Sequence, residues 1–113
     1  RLCTLEELET ACAGDAGAQF PYGDKYQEGT CNDESGNGAV VPTGSMTECV
    51  ESTGQVYDLV GNLAETCGYC LGDGSAGAHG GGAKASPDFY AKCGGKNNMT
   101  NNSGDPPGFR CCQ

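Results

Sequence analysis

An irregular, loop-rich fold with one helix, a few short strands and disulfide cross-links is what this sequence predicts, on three observations. First, 20 of 113 residues are Gly, Trp is absent and only 36% are hydrophobic, which leaves little material for regular elements and a modest core. Second, nine cysteines (Cys3, Cys12, Cys31, Cys49, Cys67, Cys70, Cys93, Cys111 and Cys112) make up about 8% of the chain, near the level of a disulfide scaffold. Third, helical periodicity is convincing over one stretch only, residues 4–13. At 11.5 kDa, residues 1–113 make one domain at most.

In the expected helix Thr4 can cap the N-terminus and Glu7 follows three residues on, a capping-box pattern. Leu5, Leu8 and Cys12 share one face, Glu6, Glu7 and Glu9 face water, and Gly14 ends the element. Residues 14–38 read as loop, with Phe20-Pro21-Tyr22-Gly23-Asp24 a turn carrying two aromatic anchors and residues 32–38 an acidic, solvated segment. Residues 40–45 allow a short strand that Pro42 keeps at an edge, and Val56–Val60 a second. Residues 72–82 are nearly all Gly, Ala and Ser, so His79 is expected to be flexible and exposed, without the rigid support that catalysis needs. Residues 88–93 suit a strand or a helical turn, residues 97–103 a polar loop with glycosylation sequons at Asn98 and Asn101, and residues 108–112 an edge strand.

A net charge of -9 argues against nucleic acid and anionic membrane as partners and suits a surface that takes up cations. No apolar run approaches the ~20 residues of a membrane span, and no signal peptide is present. The chain begins at Arg1 rather than Met, as expected of a processed or excised piece. Zinc competes with disulfides for the cysteines through Cys67-Gly-Tyr-Cys70, but there is a single CxxC and the other cysteines are scattered. Disulfides imply a secreted or periplasmic location. An odd count leaves at least one sulfur free or paired outside the chain.

Tyr57-Asp58-Leu59-Val60-Gly61-Asn62-Leu63-Ala64-Glu65 places two carboxylates on either side of a Val-Gly-Asn turn. Turn carbonyls between paired carboxylates form an oxygen cage for a hard cation such as Ca2+. On spacing alone the plainer alternative is favoured: a strand entering a turn, with Asp58 solvated and Glu65 paired to a base.

The order of the segments adds more. Arg1-Leu2-Cys3-Thr4 leads the helix carrying Glu7, then come Phe20-Pro21-Tyr22-Gly23-Asp24, Cys31-Asn32 and Pro42-Thr43-Gly44-Ser45. Gly54 through Glu65, Gly81-Gly82, Lys92-Cys93 and Gly108-Phe109-Arg110-Cys111 follow. This series resembles the formylglycine-generating enzyme/sulfatase-modifying factor family, whose members read RLPTEAEWE, PWG, AN, PVGS, YGLYDMxGNVWEW, RGGS, RxAxR and GFR. The resemblance covers almost all of residues 1–113, matches the C-terminal half of the family domain, and is closest in style to cysteine-rich secreted bacterial members. It implies an irregular, loop-rich α+β fold related to C-type lectins.

The same resemblance turns the reading of the opening segment toward calcium. It implies Ca2+ bound by the side chains of Asp58 and Glu65 and the backbone carbonyls of Gly61 and Leu63. A second calcium site would begin at Asn32, without a clear downstream Asp. The resemblance implies a Cys12–Cys93 disulfide, and a partner for Cys111 upstream of Arg1. The family's enzymes bind copper through two cysteines after the GGS motif, and the corresponding residues 82–92 hold none. Trp is also missing at Ala64.

Two function classes follow. One is a non-catalytic, calcium-stabilised, disulfide-rich extracellular module that binds a protein or glycan, assembles with itself or pairs with a missing N-terminal half, with loops 72–82 and 94–105 as its display face. The other is a copper-dependent oxidase of the family with an atypical pair such as Cys67 and Cys70.

Overall fold

Thr4 and Glu7 set the first regular element of the computed structural model, which describes residues 1–68, 71, 73, 77–98 and 106–113. The Glu7 amide donates to the Thr4 hydroxyl at 3.2 Å and the Thr4 amide to the Glu7 carboxylate at 2.9 Å, closing the capping box the sequence predicts. Helix α1 spans Leu5–Ala13 and stops at Gly14, whose φ of 62° is one that Gly adopts without penalty. Leu8 and Cys12 are buried, and Leu5 packs against the same core.

Among the described residues four short strands join α1 in a mixed α/β structure: β1 (Glu65–Cys67), β2 (Gly77–His79), β3 (Lys96–Asn98) and β4 (Gly108–Phe109), in the order β3-β2-β1-β4. β1 runs antiparallel to β2, with Glu65 opposite His79, and parallel to β4, with Glu65 opposite Gly108. β2 pairs antiparallel with β3. All three residues of β2 are buried.

Sulfur fills the core that aliphatic residues are too few to fill. Of its nine buried members, six are cysteines (Cys3, Cys12, Cys31, Cys49, Cys67 and Cys93), beside Leu8, Leu59 and Val60. Cys12 is bonded to Cys93, Cys3 to Cys112 and Cys31 to Cys49, across sequence separations of 81, 109 and 18 residues. In the chain-entropy description the two long closures each restrict the unfolded chain by about 4–5 kcal/mol and the short one by about 3 kcal/mol. Cys67 is disulfide-bonded as well. Cys111 is a free, exposed thiol.

Several expectations need correction. His79 is not exposed: it is 0% accessible in β2, and its Nε2–H donates to the Cys93 carbonyl at 2.6 Å. Burial pushes its pKa down, and Nδ1 is buried without a partner. The glycine tract is therefore no uniform display loop, because Gly77–His79 and Gly80–Ala83 are largely buried. Its residues 72 and 74–76 lie outside the described residues, as do 99–105, so the loop beyond Lys96–Asn98 and the sequon at Asn101 are not placed. Residues 40–45 form no strand, and Val56–Val60 contributes a single bridge, Tyr57 to Val50. Residues 86–91 turn on the Ser86 carbonyl, which accepts from Phe89, Tyr90 and Ala91. The segment after Cys31 is not solvated at its start, since Asn32 is 6% and Asp33 2% exposed.

Where strands are lacking, side chains satisfy the backbone. Glu51 Oε1 accepts from the Thr53 hydroxyl (2.6 Å) and from the amides of Gln55 (2.9 Å) and Val56 (3.1 Å). Oε2 takes the Thr53 amide. The Thr53 hydroxyl bond and these amides hold the Glu51 carboxyl at about 2, against an ordinary 4.5. The Arg1 guanidinium and the Thr4 amide hold Glu7 at about 2 likewise. Both folded values are depressed, so their contribution to stability is complete above pH ~4.5 and is lost as pH falls toward ~2. Urea-unfolding midpoints taken across this range should fall in acid, and the double substitution Glu7→Gln/Glu51→Gln should flatten the fall.

Candidate metal centre

Gly61 fixes the path of the segment between Asp58 and Glu65. Its φ is 74°, and a Cβ there would stand 2.5 Å from the Asn32 carbonyl oxygen, so no other residue fits. Asp58 (φ 59°) and Asn62 (φ 62°) also take the left-handed conformation, which Asn and Asp tolerate best. Three such residues within five turn the chain tightly on itself.

Asn62, 5% exposed, locks that turn to two other loops. Its Oδ1 accepts from Asn32 Nδ2 (3.0 Å) and the Val41 amide (2.9 Å), while its Nδ2 donates to the Val41 carbonyl at 3.0 Å. Its own amide donates to the Asn32 carbonyl at 2.8 Å. Val41 thus has its strand-like bonding supplied by a side chain.

Around this frame the four expected ligand positions fall as follows. Asp58 is 6% exposed; its Oδ2 accepts from the Gly44 amide at 2.7 Å, and its Oδ1 is buried without a hydrogen-bond partner. A solvated Asp58 at a strand end is therefore ruled out. The carbonyls of Asn62 and Ala64 accept from the amides of Ala83 and Gly108. Those of Gly61 and Leu63, alternating with them, take no such bond among the described residues. Glu65, 8% exposed at the head of β1, is clamped by Arg110, whose Nε lies 3.0 Å from each carboxylate oxygen. Arg110 also donates to the Tyr57 carbonyl at 2.9 Å, so one guanidinium joins the two ends of the segment.

The residues fit a hard cation on the ground that matters most, a buried carboxylate oxygen with nothing to bind. An unpaired buried acceptor is unfavourable, and more so when charged. Asp58 and Glu65 would hold Ca2+ with the carbonyls of Gly61 and Leu63, all oxygen donors; those carbonyls accept no backbone amide among the described residues. Copper(I), which favours thiolates, has no donor in this set.

Other groupings offer less. Asn32 donates to the Ala39 carbonyl (2.9 Å) as well as to Asn62, and Asp33 Oδ1 accepts from Tyr26, the Ser35 amide and the Ser35 hydroxyl. Among the described residues the one cluster of three His, Cys, Asp or Glu ligand atoms is Cys3, Glu7 and Cys112, whose sulfurs are bonded to each other. A cleft of about 840 Å3 between the end of α1 and residues 48–56 is lined by none of the four ligand positions. Spacing alone favoured Glu65 paired to a base, which Arg110 supplies; Asp58 and Glu65 stood out as ligands through the resemblance, and neither reading singled out Asn62 or Glu51. A polar residue directly after an obligatory Gly was the available signal for Asn62.

Comparison with known families matches residues 1–113, the whole chain, to the family described as the sulfatase-modifying factor enzyme 1-like domain. No curated protein matches the chain. No helix among the described residues is long and apolar enough to cross a membrane.

The Asn62 amide carries a direct expectation. Asn62→Gly, which keeps the backbone conformation accessible, should lower stability by about 2–4 kcal/mol because Asn32 and Val41 lose partners. Asn62→Ala should cost about 1 kcal/mol more through its left-handed φ. Chemical denaturation of the three proteins checks both steps.

Proposed function

The chain belongs to the sulfatase-modifying factor enzyme 1-like family, and from that premise we propose that it is a non-catalytic, calcium-stabilised, disulfide-rich extracellular module that binds a partner or builds a surface assembly. The observation that carries the calcium half is Asp58 Oδ1, buried and without a hydrogen-bond partner; the carbonyls of Gly61 and Leu63 in the same segment accept no backbone amide among the described residues. Calcium would draw Asp58 and Glu65 together across the turn and stabilise the loops that Asn62 ties to it.

Two further facts support the non-catalytic half. Residues 82–92, where the resemblance puts a copper-binding cysteine pair, contain no cysteine. The atypical pair Cys67 and Cys70 is a poor substitute, because Cys67 is disulfide-bonded and has no thiolate to offer; Cys70 lies outside the described residues. A core made mostly of bonded cysteines suits an oxidising compartment, hence a secreted or extracellular location. The exposed rings of Phe89 (68%) and Phe109 (71%) offer contact area for a protein or glycan. We read the fold as the family's C-type-lectin-like arrangement.

Thermal melts with and without calcium test the metal. Calcium at ~100 times its dissociation constant should stabilise the protein by about 2.7 kcal/mol. Asp58→Asn should abolish that increment and leave the disulfides intact. Wild-type curves that coincide in calcium and in chelator would sink the site.

A further inference from the structure

Arg110 stands where a cation bound by Glu65 would meet its nearest fixed charge. Nε donates to both Glu65 oxygens at 3.0 Å, and a terminal nitrogen donates to Oε1 and to the Tyr57 carbonyl. The guanidinium therefore lies across the front of the carboxylate, between its two oxygens. The pair is poorly hydrated, with the Arg110 side chain 28% exposed and the Glu65 side chain 10% exposed.

A divalent cation gripped by both Glu65 oxygens would need that same front edge. We propose that Arg110 is a built-in competing cation: it closes the turn against Tyr57 when no metal is bound, limits Glu65 to one oxygen toward a bound calcium, and so keeps calcium affinity low. The inference rests on the calcium reading above.

Two effects of such a neighbour oppose each other. Orienting a ligand from outside strengthens metal binding, while a positive charge beside a divalent cation weakens it. Charge decides here. The cage has two carboxylates, and the guanidinium offsets one of them at a site with little water to screen it. Orientation adds less, because Glu65 is already fixed between His79 of β2 and Gly108 of β4. The expected dissociation constant lies in the weak range of extracellular calcium modules, about 10⁻⁴–10⁻³ M.

Calcium titration by calorimetry, with melts in chelator, tests this on wild type, Arg110→Gln, Arg110→Lys and Asp58→Asn. Arg110→Gln keeps a donor for Glu65 and removes the charge. It should melt lower in chelator yet bind calcium about tenfold more tightly or better. Arg110→Lys keeps the charge and should bind within about threefold of wild type, which serves if the Gln protein does not fold. Unchanged or weaker binding in Arg110→Gln, or tightening of about tenfold in Arg110→Lys, would overturn the role of Arg110 while wild-type binding lost in Asp58→Asn upholds the site. No calcium binding by wild type would overturn both.

Discussion

The side-chain amide of Asn62 is the interaction on which the rest of the structure depends. It joins the turn at Gly61 to the Asn32 loop and to the extended backbone at Val41. Among the described residues, four strands of two or three residues cannot satisfy the buried backbone through sheet ladders. Asn62 and Glu51 do that work from side chains, each meeting several backbone or amide groups at once. The same arrangement positions the candidate metal centre, because Asp58 and Glu65 flank the turn that Asn62 holds.

Covalent and polar constraints divide the molecule between them. Disulfides tie α1 to the segment before β3 through Cys12–Cys93, and the two chain ends together through Cys3–Cys112. They restrict the unfolded chain and fill the centre, but they leave the direction of the 57–65 segment undecided. That direction comes from three left-handed residues and from Arg110, which joins the Tyr57 carbonyl to Glu65. The family assignment and the disulfide-bonded mixed α/β structure follow from the residues themselves; the calcium-dependent role is the reading these contacts support best.

Local signals in the sequence were legible where a local rule governs the structure. Thr4 and Glu7 define α1 because a capping box needs residues three apart and nothing distant. The parallel pairing of β4 with β1 was not legible, since it joins Glu65 to Gly108 across the chain. His79 misled for a related reason: a Gly/Ala tract has the composition of a flexible loop, yet small residues also let a central strand lie buried between two neighbours. The strand expected over residues 40–45 is absent, but Val41 makes strand-like bonds with a side chain 21 residues away instead of a partner strand. Asp58 and Glu65 could be picked out by spacing and by resemblance, whereas the burial of one and the clamping of the other depend on Gly44 and Arg110, remote in sequence.

On the proposed reading a sulfur-rich frame carries a turn that takes a cation, and neither is assigned a reaction. The most direct test is the metal content and free-thiol count of the non-reduced protein after equilibration with calcium and copper. One calcium per chain, no copper and a single reactive thiol at Cys111 is the predicted result. Bound copper with two or more reactive thiols, or a chain without calcium, would contradict it.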